Sequence, residues 1–424
     1  MSPPRFPATL AVRRALVATC DRGPGDPGLL PDAAIAVDDR LIGWIGPDAE
    51  LEEHADLSEA RQIDARGRLV TPGLVDAHTH LLFGDAGGPA LDFAARCAGR
   101  PDRPGGGDEA IAAATRGATG EALLAAALDR TRRLLTHGAT TVEVKSGLGV
   151  SVAEELRLLR TIHELARAAW GEVTVVPTLH LARPLPPDAP GGREAWVRAV
   201  AEELVPAAAA ERIAACCDVA VGDGAFSAPE ARRILEAARA HGLLPRLHAD
   251  RLAPGGGAEL AAELGCASAD HLEHVSPVGV EALARAGTAA VLLPLSTLAQ
   301  RGRRYAPGRS LLDAGAPVAL ASDVDPAGAV SENASLVLSL ACLELGLTPA
   351  EALVAYTAGG ARALRLSDAG RLAPGLEADL VVWGCRSVEH LAWHAGVSHA
   401  LMVVKRGRPV HQAQAWTAAD CAAA

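Results

Sequence analysis

Aromatic residues are scarce in this chain: Phe, Tyr and Trp make up 3% of its 424 residues. Hydrophobic residues as a whole still reach 49%. Ala, Gly, Leu and Val therefore carry the apolar load, enough for one large domain and a smaller one. Cysteines number 8, but none are in C-x-x-C spacing, and the only adjacent pair is Cys216-Cys217. That excludes a zinc-finger or disulfide framework and suits a reducing compartment, so the expected location is cytoplasmic. An excess of positive charge is also missing, since the net charge is −11. Nucleic acid and anionic membrane are thus excluded as main partners, leaving a small-molecule substrate. The first twenty residues show no basic stretch followed by a long apolar run, so neither a signal peptide nor a spanning helix is expected.

What is present changes character twice along the chain. Residues 1–70 read as short strands, such as ALVATC, AAIAVDD and LIGWIG, separated by Gly, Pro and Asp. From 71 to 367 short apolar strands alternate with stretches of helical period such as EALLAAALDRTRRLLTHG. Strands are expected near 74–80, 140–147, 173–182, 214–223, 244–250, 268–274, 289–296 and 317–323. Eight strands separated by helices predict an α/β fold, a (β/α)8 TIM barrel. Residues 368–424 return to strands and hairpins, and the two ends are expected to join in a small composite β-sandwich domain. A Gly/Pro-rich stretch at 84–118 reads as a long loop after the first barrel strand, either a functional lid or an insertion.

Barrel enzymes carry their chemistry at the C-terminal ends of the strands. His78 and His80, in LVDAHTH, sit two apart at the first of these ends, and a spacing of two puts both side chains on one face of a strand. Strand 5, LLPRLHAD, ends with His248. Strand 6, ASADHLEH, carries His271 and His274, and strand 8, PVALASDVD, ends with Asp323. Imidazoles and a carboxylate converging on one rim suit zinc or iron. Two-metal barrels often bridge their ions with a carboxylated lysine on strand 4. AACCDVAVGD has no lysine there, so a single Zn2+ or Fe ion is expected. Lys145, on strand 2, reads as a partner of Glu143 or as structural support. An ion in this set would activate water and polarise a carbonyl. Asp323 would carry the proton from water to a leaving nitrogen, and His271 would hold the carbonyl oxygen or steady the water. The reaction is then hydrolysis of an amide-like or amidine-like C–N bond.

These residues resemble the amidohydrolase superfamily and, within it, imidazolonepropionase, which opens an imidazolone ring in histidine breakdown. PGLVDAHTHLLFG, EVKSGLG, LHAD, GGAELAAELGCASADHLEH, YAPGRSLLDAGAPVALASDVDP and GRLAPGLEADLVVW carry the resemblance over most of the chain. It implies a barrel with a composite β domain, one zinc or iron ion, and a homodimer. By position it implies His78, His80, His248 and Asp323 as metal ligands and His271 as the catalytic histidine.

The departures lie where that family holds its substrate. Its His-Ala-Asp-Glu run is His248-Ala249-Asp250-Arg251 here, so a base has become a permanent cation. Its EVKSGYG tyrosine is Leu148. Its strand-3 histidine aligns with Arg183, and its substrate-binding arginine has no counterpart in GDAGGPA. Plainer readings exist for each change: Arg251 paired outward, Arg183 solvated, Leu148 in the core. Read together they predict a repurposed pocket, in which Arg183 and Arg251 bind a carboxylate or another anion and Leu148 forms an apolar wall. Glu273 and Asp325 are candidate substitute acids, with Glu332 and Asn333 as weaker ones. The expectation is therefore a metal-dependent hydrolase of a cyclic amide or related C–N bond with a substrate of its own. The alternatives are a genuine imidazolonepropionase, a cyclase or dehydratase running the reverse condensation, and a non-catalytic binding protein.

Overall fold

The fold is described from a computed structural model covering residues 5–84, 87–99, 107–181, 191–222, 224–328 and 330–414. Eight parallel strands form the central sheet: β1 (Leu74–Asp76), β2 (Ala139–Lys145), β3 (Thr174–Leu181), β4 (Cys216–Ala220), β5 (Leu244–Ala249), β6 (Ser268–His271), β7 (Ala289–Leu292) and β8 (Val318–Leu320). They pair in sequence order from β1 to β8. The two outer strands meet beyond their C-terminal ends, where Asp323 N donates to the His78 carbonyl (3.1 Å) and His80 N to the Val324 carbonyl (2.9 Å). Asp76 adds its carboxylate, which accepts from Ser322 N at 3.0 Å and from the Tyr356 hydroxyl at 3.0 Å. All eight expected strands are present, and the barrel is nearly closed.

Local sequence explains how the strands hand over to helices. Thr119, Ser151, Ser276, Asn333 and Thr348 cap helix N-termini with their side chains, each accepting a backbone N–H two or three residues on. Such caps are worth about 1 kcal/mol each. Gly359 and Gly360 seat a helical turn beneath β1 and β8. A Cβ on either would lie 2.3 Å from a strand carbonyl, Val318 O or Val75 O. No larger residue can occupy those positions without displacing the strands.

Strands from both chain ends form one second sheet. Its hydrogen-bonded order runs Arg408–Gln412, Ala400–Lys405, Leu380–Trp383, Leu69–Pro72, Leu10–Ala18, Leu29–Asp38 and Leu41–Pro47, with Arg61–Asp64 beside Leu10–Ala18. It bends over a core of its own that includes Val12, Ile35, Ile63, Val70, Leu380 and Val404. The far edge returns to the C-terminal segment, where Ile42 N donates to Leu376 O at 2.9 Å. Trp383 ties this layer to the barrel: its indole donates to Thr71 Oγ1 (2.8 Å), and its ring lies against Gly138, where a Cβ would be 2.6 Å away.

The stretch read as a loop at 84–118 is mostly helical where it is described. Gly88–Cys97 and Gly107–Gly117 are helices, and Gly107 N donates to the Asp92 carboxylate at 2.8 Å. The Gly/Pro punctuation of GRPDRPGGGDE masked two short amphipathic runs, whose helicity comes from packing more than from propensity. No helix among the described residues is long and apolar enough to cross a membrane. Their seven cysteines are all free.

Candidate metal centre

The strand ends bring five imidazoles and one carboxylate together at the barrel mouth. His78 and His80 follow β1, His180 belongs to β3, His248 to β5 and His271 to β6, and Asp323 follows β8. His78 Nε2 lies 3.6 Å from Asp323 Oδ1, and His80 Nε2 lies 3.7 Å from the same oxygen. The His248 ring centroid is 4.6 Å from that of His78. Donors about 2.0–2.1 Å from a tetrahedral ion stand about 3.3–3.4 Å apart. The observed separations therefore suit a shared ion with little movement. His78 Nε2 is buried and has no hydrogen-bond partner, which is the mark of a lone pair kept for a ligand.

Three of the imidazoles are biased toward the neutral form. Burial, helped by the nearby charges of Lys145 and the neighbouring imidazoles, pushes the His78 ring well below its ordinary pKa. His80 and His248 are lowered in the same way, burial first. Neutral rings are what a metal binds.

Beneath the rings lies a layer of buried ions that fixes their orientation. His78 Nδ1 pairs with Asp270 Oδ2 at 2.7 Å, and His248 Nδ1 with the Asp218 carboxylate at 3.0 Å. Each carboxylate thus fixes which ring nitrogen faces the mouth. Asp270 is held in turn by Arg246 Nη2 (2.8 Å) and Ser268 Oγ (2.5 Å). Asp218 accepts from Lys145 Nζ at 2.5 Å, and the same ammonium donates to Glu143 at 2.7 Å. Burial would raise the Asp218 carboxyl, but His248 and Lys145 hold it well below its ordinary value. Glu143 also steadies the histidine pair directly, because its backbone carbonyl accepts from the Thr79 hydroxyl at 2.6 Å. Lys145 therefore pairs with Glu143 as the sequence suggested, and with Asp218 as well.

His271 stands at the edge of this cluster, its ring centroid 4.9 Å from His248 and 5.4 Å from His78. Its backbone takes φ +80°, and Leu272 follows at +68°. Such left-handed geometry in non-glycine residues costs about 1–3 kcal/mol and is commonly kept where function fixes a side chain. Its Nδ1 is 3.7 Å from Glu273 Oε1. Glu273 is buried, accepts from Thr297 Oγ1 at 3.1 Å and leaves its other oxygen without a partner. Burial acts to raise its carboxyl, but His271 and the charge of Arg251 bring it below the usual range. Strand alternation does not set where residue 273 points, because β6 ends at His271 and the chain turns there.

The other candidates divide by position. Asp325 is half-buried by the mouth. Its sunken setting and the negative charge of Asp323 push its carboxyl up to about 6. Arg251 is half-exposed in the turn after β5, which the Asp250 carboxylate anchors by accepting from Gly255 N (2.7 Å) and Ala258 N (2.9 Å). Its charge acts on both Glu273 and Asp325, so it belongs to the same mouth. Leu148 is half-exposed and packs on the main core, in a loop whose Gly147 and Gly149 amides are both clamped by Glu155. Glu332 pairs with Arg133 at 2.8 Å and Asn333 caps a helix, so both have structural employment outside the cluster. Arg183 lies outside the described residues.

His180 is the residue the strand-end reading missed. Its ring centroid is 4.4 Å from His248 and 5.2 Å from His80, and one ring nitrogen of each of the three lies within 4.8 Å of the others. The signal is TLHL at the end of strand 3, where His180 stands three residues before Arg183. Gly147 makes room for it: at φ +109°, a Cβ there would lie 2.9 Å from His180 Cδ2.

Comparison with known proteins agrees with this geometry. The model of the amidohydrolase family matches residues 69–412. An imidazolonepropionase from Anaeromyxobacter dehalogenans (strain 2CP-1 / ATCC BAA-258) is 58% identical over 418 residues, covering 98% of this chain and 99% of its own. One from Myxococcus xanthus (strain DK1622) is 49% identical over 382 residues, covering 89% and 90%. Among solved structures, 5-methylcytosine deaminase from Klebsiella pneumoniae liganded with phosphonocytosine superposes with a TM-score of 0.74 at 18% identity, over 96% of this chain and 98% of that one. That last likeness concerns the fold alone. With its barrel, its strand-end histidines and a full-length match to these relatives, the chain belongs to the amidohydrolase superfamily, in its imidazolonepropionase family.

Proposed function

We propose that this chain is an imidazolonepropionase, a hydrolase that opens the ring of imidazolone propionate at an amide C–N bond. The observation that carries the reading is the 58% identity to an imidazolonepropionase over 98% of the chain, with His78, His80, His248 and Asp323 gathered at the barrel mouth. It replaces the expectation of a different substrate, which rested on Arg251, Leu148 and Arg183.

His78, His80, His248 and Asp323 would hold one divalent ion, zinc or iron. When bound, such an ion makes a water nucleophilic near neutral pH and polarises the substrate carbonyl. Asp323 accepts the proton as the water oxygen bonds to the ring carbonyl carbon. It then returns that proton to the ring nitrogen as the C–N bond breaks. His271, oriented by Glu273, faces the carbonyl oxygen and steadies the charge that develops there. Arg251 faces the propionate carboxylate at the rim, taking part of the binding role of the arginine absent from GDAGGPA.

The test is direct. Protein loaded with zinc or iron should consume imidazolone propionate, followed by loss of the ring's ultraviolet absorbance. Stable absorbance with metal-replete, folded protein would overturn the reading and return the substrate question to Arg251 and Leu148. Metal analysis should find about one transition-metal ion at the mouth per chain.

A further inference from the structure

A second set of imidazoles converges far from the barrel mouth in sequence and on a different part of the fold. His390 lies in the helix Val388–Trp393, His394 follows its last turn, and His399 directly precedes the strand Ala400–Lys405. One ring nitrogen from each lies within 4.8 Å of the other two. Ring centroids are 5.7 Å apart for His390 and His394, 5.6 Å for His390 and His399, and 4.8 Å for His394 and His399. The four-residue spacing puts His390 and His394 on one side of a helical turn, and the chain reversal at Gly396 brings His399 back to them.

The hydrogen bonding of His399 favours a ligand. His399 is buried, whereas His390 and His394 are exposed. Its Nε2 lies 2.8 Å from the His394 carbonyl. A carbonyl can only accept, so Nε2 carries the proton and Nδ1 keeps its lone pair. A hydrogen bond from the outer ring nitrogen to a carbonyl fixes the tautomer of metal-bound histidines in this way.

The backbone beneath is held independently of any ion. Ser387 caps the helix at His390 N (3.2 Å), His394 N donates to His390 O (3.0 Å), and Gly384 N donates to His399 O (2.7 Å). The Ser339 hydroxyl secures the Ala392 carbonyl. Three imidazole nitrogen donors on such a frame suit Zn2+, Ni2+ or Cu2+, and not the hard cations Mg2+ or Ca2+.

We propose that His390, His394 and His399 form a peripheral site for a divalent transition-metal ion. The ion fastens the end of the helix Val388–Trp393 to the strand Ala400–Lys405, water completing its coordination. Because it binds only the folded chain, it raises stability with free metal concentration.

The experiment is a titration of the untagged chain, its barrel mouth already loaded with zinc, using Ni2+ as the probe. Calorimetry should find one further equivalent. The Trp393 ring, with its centroid 5.6 Å from His390 and 5.8 Å from His394, should lose fluorescence as Ni2+ binds. His390→Ala and His394→Ala should each weaken the added binding by at least about tenfold, the scale on which even the loss of a ligand's hydrogen-bond partner acts. Both side chains are exposed, so the variants should fold and retain hydrolytic turnover. The double variant should also lose the rise in melting temperature that Ni2+ gives the parent chain. Absence of the further equivalent in the parent, or its undiminished presence in both single variants, would overturn the proposal.

Discussion

The floor and the rim of the barrel mouth are built differently. On the floor two candidate ligand imidazoles rest on buried carboxylates, Asp270 under His78 and Asp218 under His248, with Arg246, Lys145 and Glu143 around those. On the rim, Arg251, Leu148 and Asp325 stand half-exposed in loops and turns. A buried ionic layer tolerates little change, since each member removed leaves another uncompensated. A rim residue can change with only local consequences. Changes at Arg251 and Leu148 can therefore stand beside an unaltered floor, and they are weak evidence for a new substrate.

The largest effect should follow from changes to the floor's reacting face. In the proposed mechanism Asp323→Asn removes both the proton carrier and one metal ligand, so turnover should fall by about 10²–10⁴-fold or more. Rate measurements on metal-replete protein would check it. A variant within a few-fold of the parent would show that Asp323 is neither base nor essential ligand.

Next comes the layer beneath. Lys145→Met leaves Asp218 buried without its cation and Glu143 with Arg246 alone, 3.3 Å away, at a cost of about 3–5 kcal/mol. Denaturant midpoints would measure it. Lys145→Met combined with Asp218→Asn should recover part of that loss, because one uncompensated charge is removed with the other. The double variant should still hold metal about 10–100-fold more weakly than the parent, since His248 has lost the carboxylate that orients it. Strict additivity of the two changes would mean that the floor is a set of independent contacts and not a network.

How much of this was legible in the sequence follows the same division. The barrel was legible because eight short apolar strands alternate with helical stretches, and His78, His80, His248 and Asp323 because they sit at strand ends. The supporting ions were not, because Asp218 and Asp270 look like isolated carboxylates within apolar strands. Their partners, Lys145 and Arg246, come from strands distant in sequence. His180 had a usable signal that went unused. The helices at Gly88–Cys97 and Gly107–Gly117 were hidden by flanking Gly and Pro, which weigh heavily in local propensity and little in packing.

Rim predictions are smaller. Arg251→Gln removes a charged donor that the proposed function aims at the substrate carboxylate, a loss of about 1.5–3 kcal/mol in binding. It should raise KM by about tenfold or more, with kcat little changed, because the contact is equally present in ground and transition states. A fall in kcat with KM unchanged would put Arg251 among the groups acting on the reaction itself.

Leu148→Tyr should have the smallest effect, and it separates floor from rim most cleanly. The backbone around residue 148 does not depend on its side chain: Glu155 accepts from Gly147 N at 2.9 Å and from Gly149 N at 2.6 Å, and Ser146 Oγ accepts from His180 N at 3.1 Å. The tyrosine would thus be added to a fixed loop, with part of its ring resting on the core surface that Leu148 covers. Stability should change by less than about 1.5 kcal/mol, as for other size-tolerant sites. If residue 148 borders the substrate, the new hydroxyl should lower KM by a few-fold, about 1 kcal/mol for one added hydrogen bond. An unchanged KM would assign Leu148 to packing alone. A large fall in kcat would instead mean that the loop transmits strain through Gly147 to His180, and the floor and rim could no longer be treated as separable.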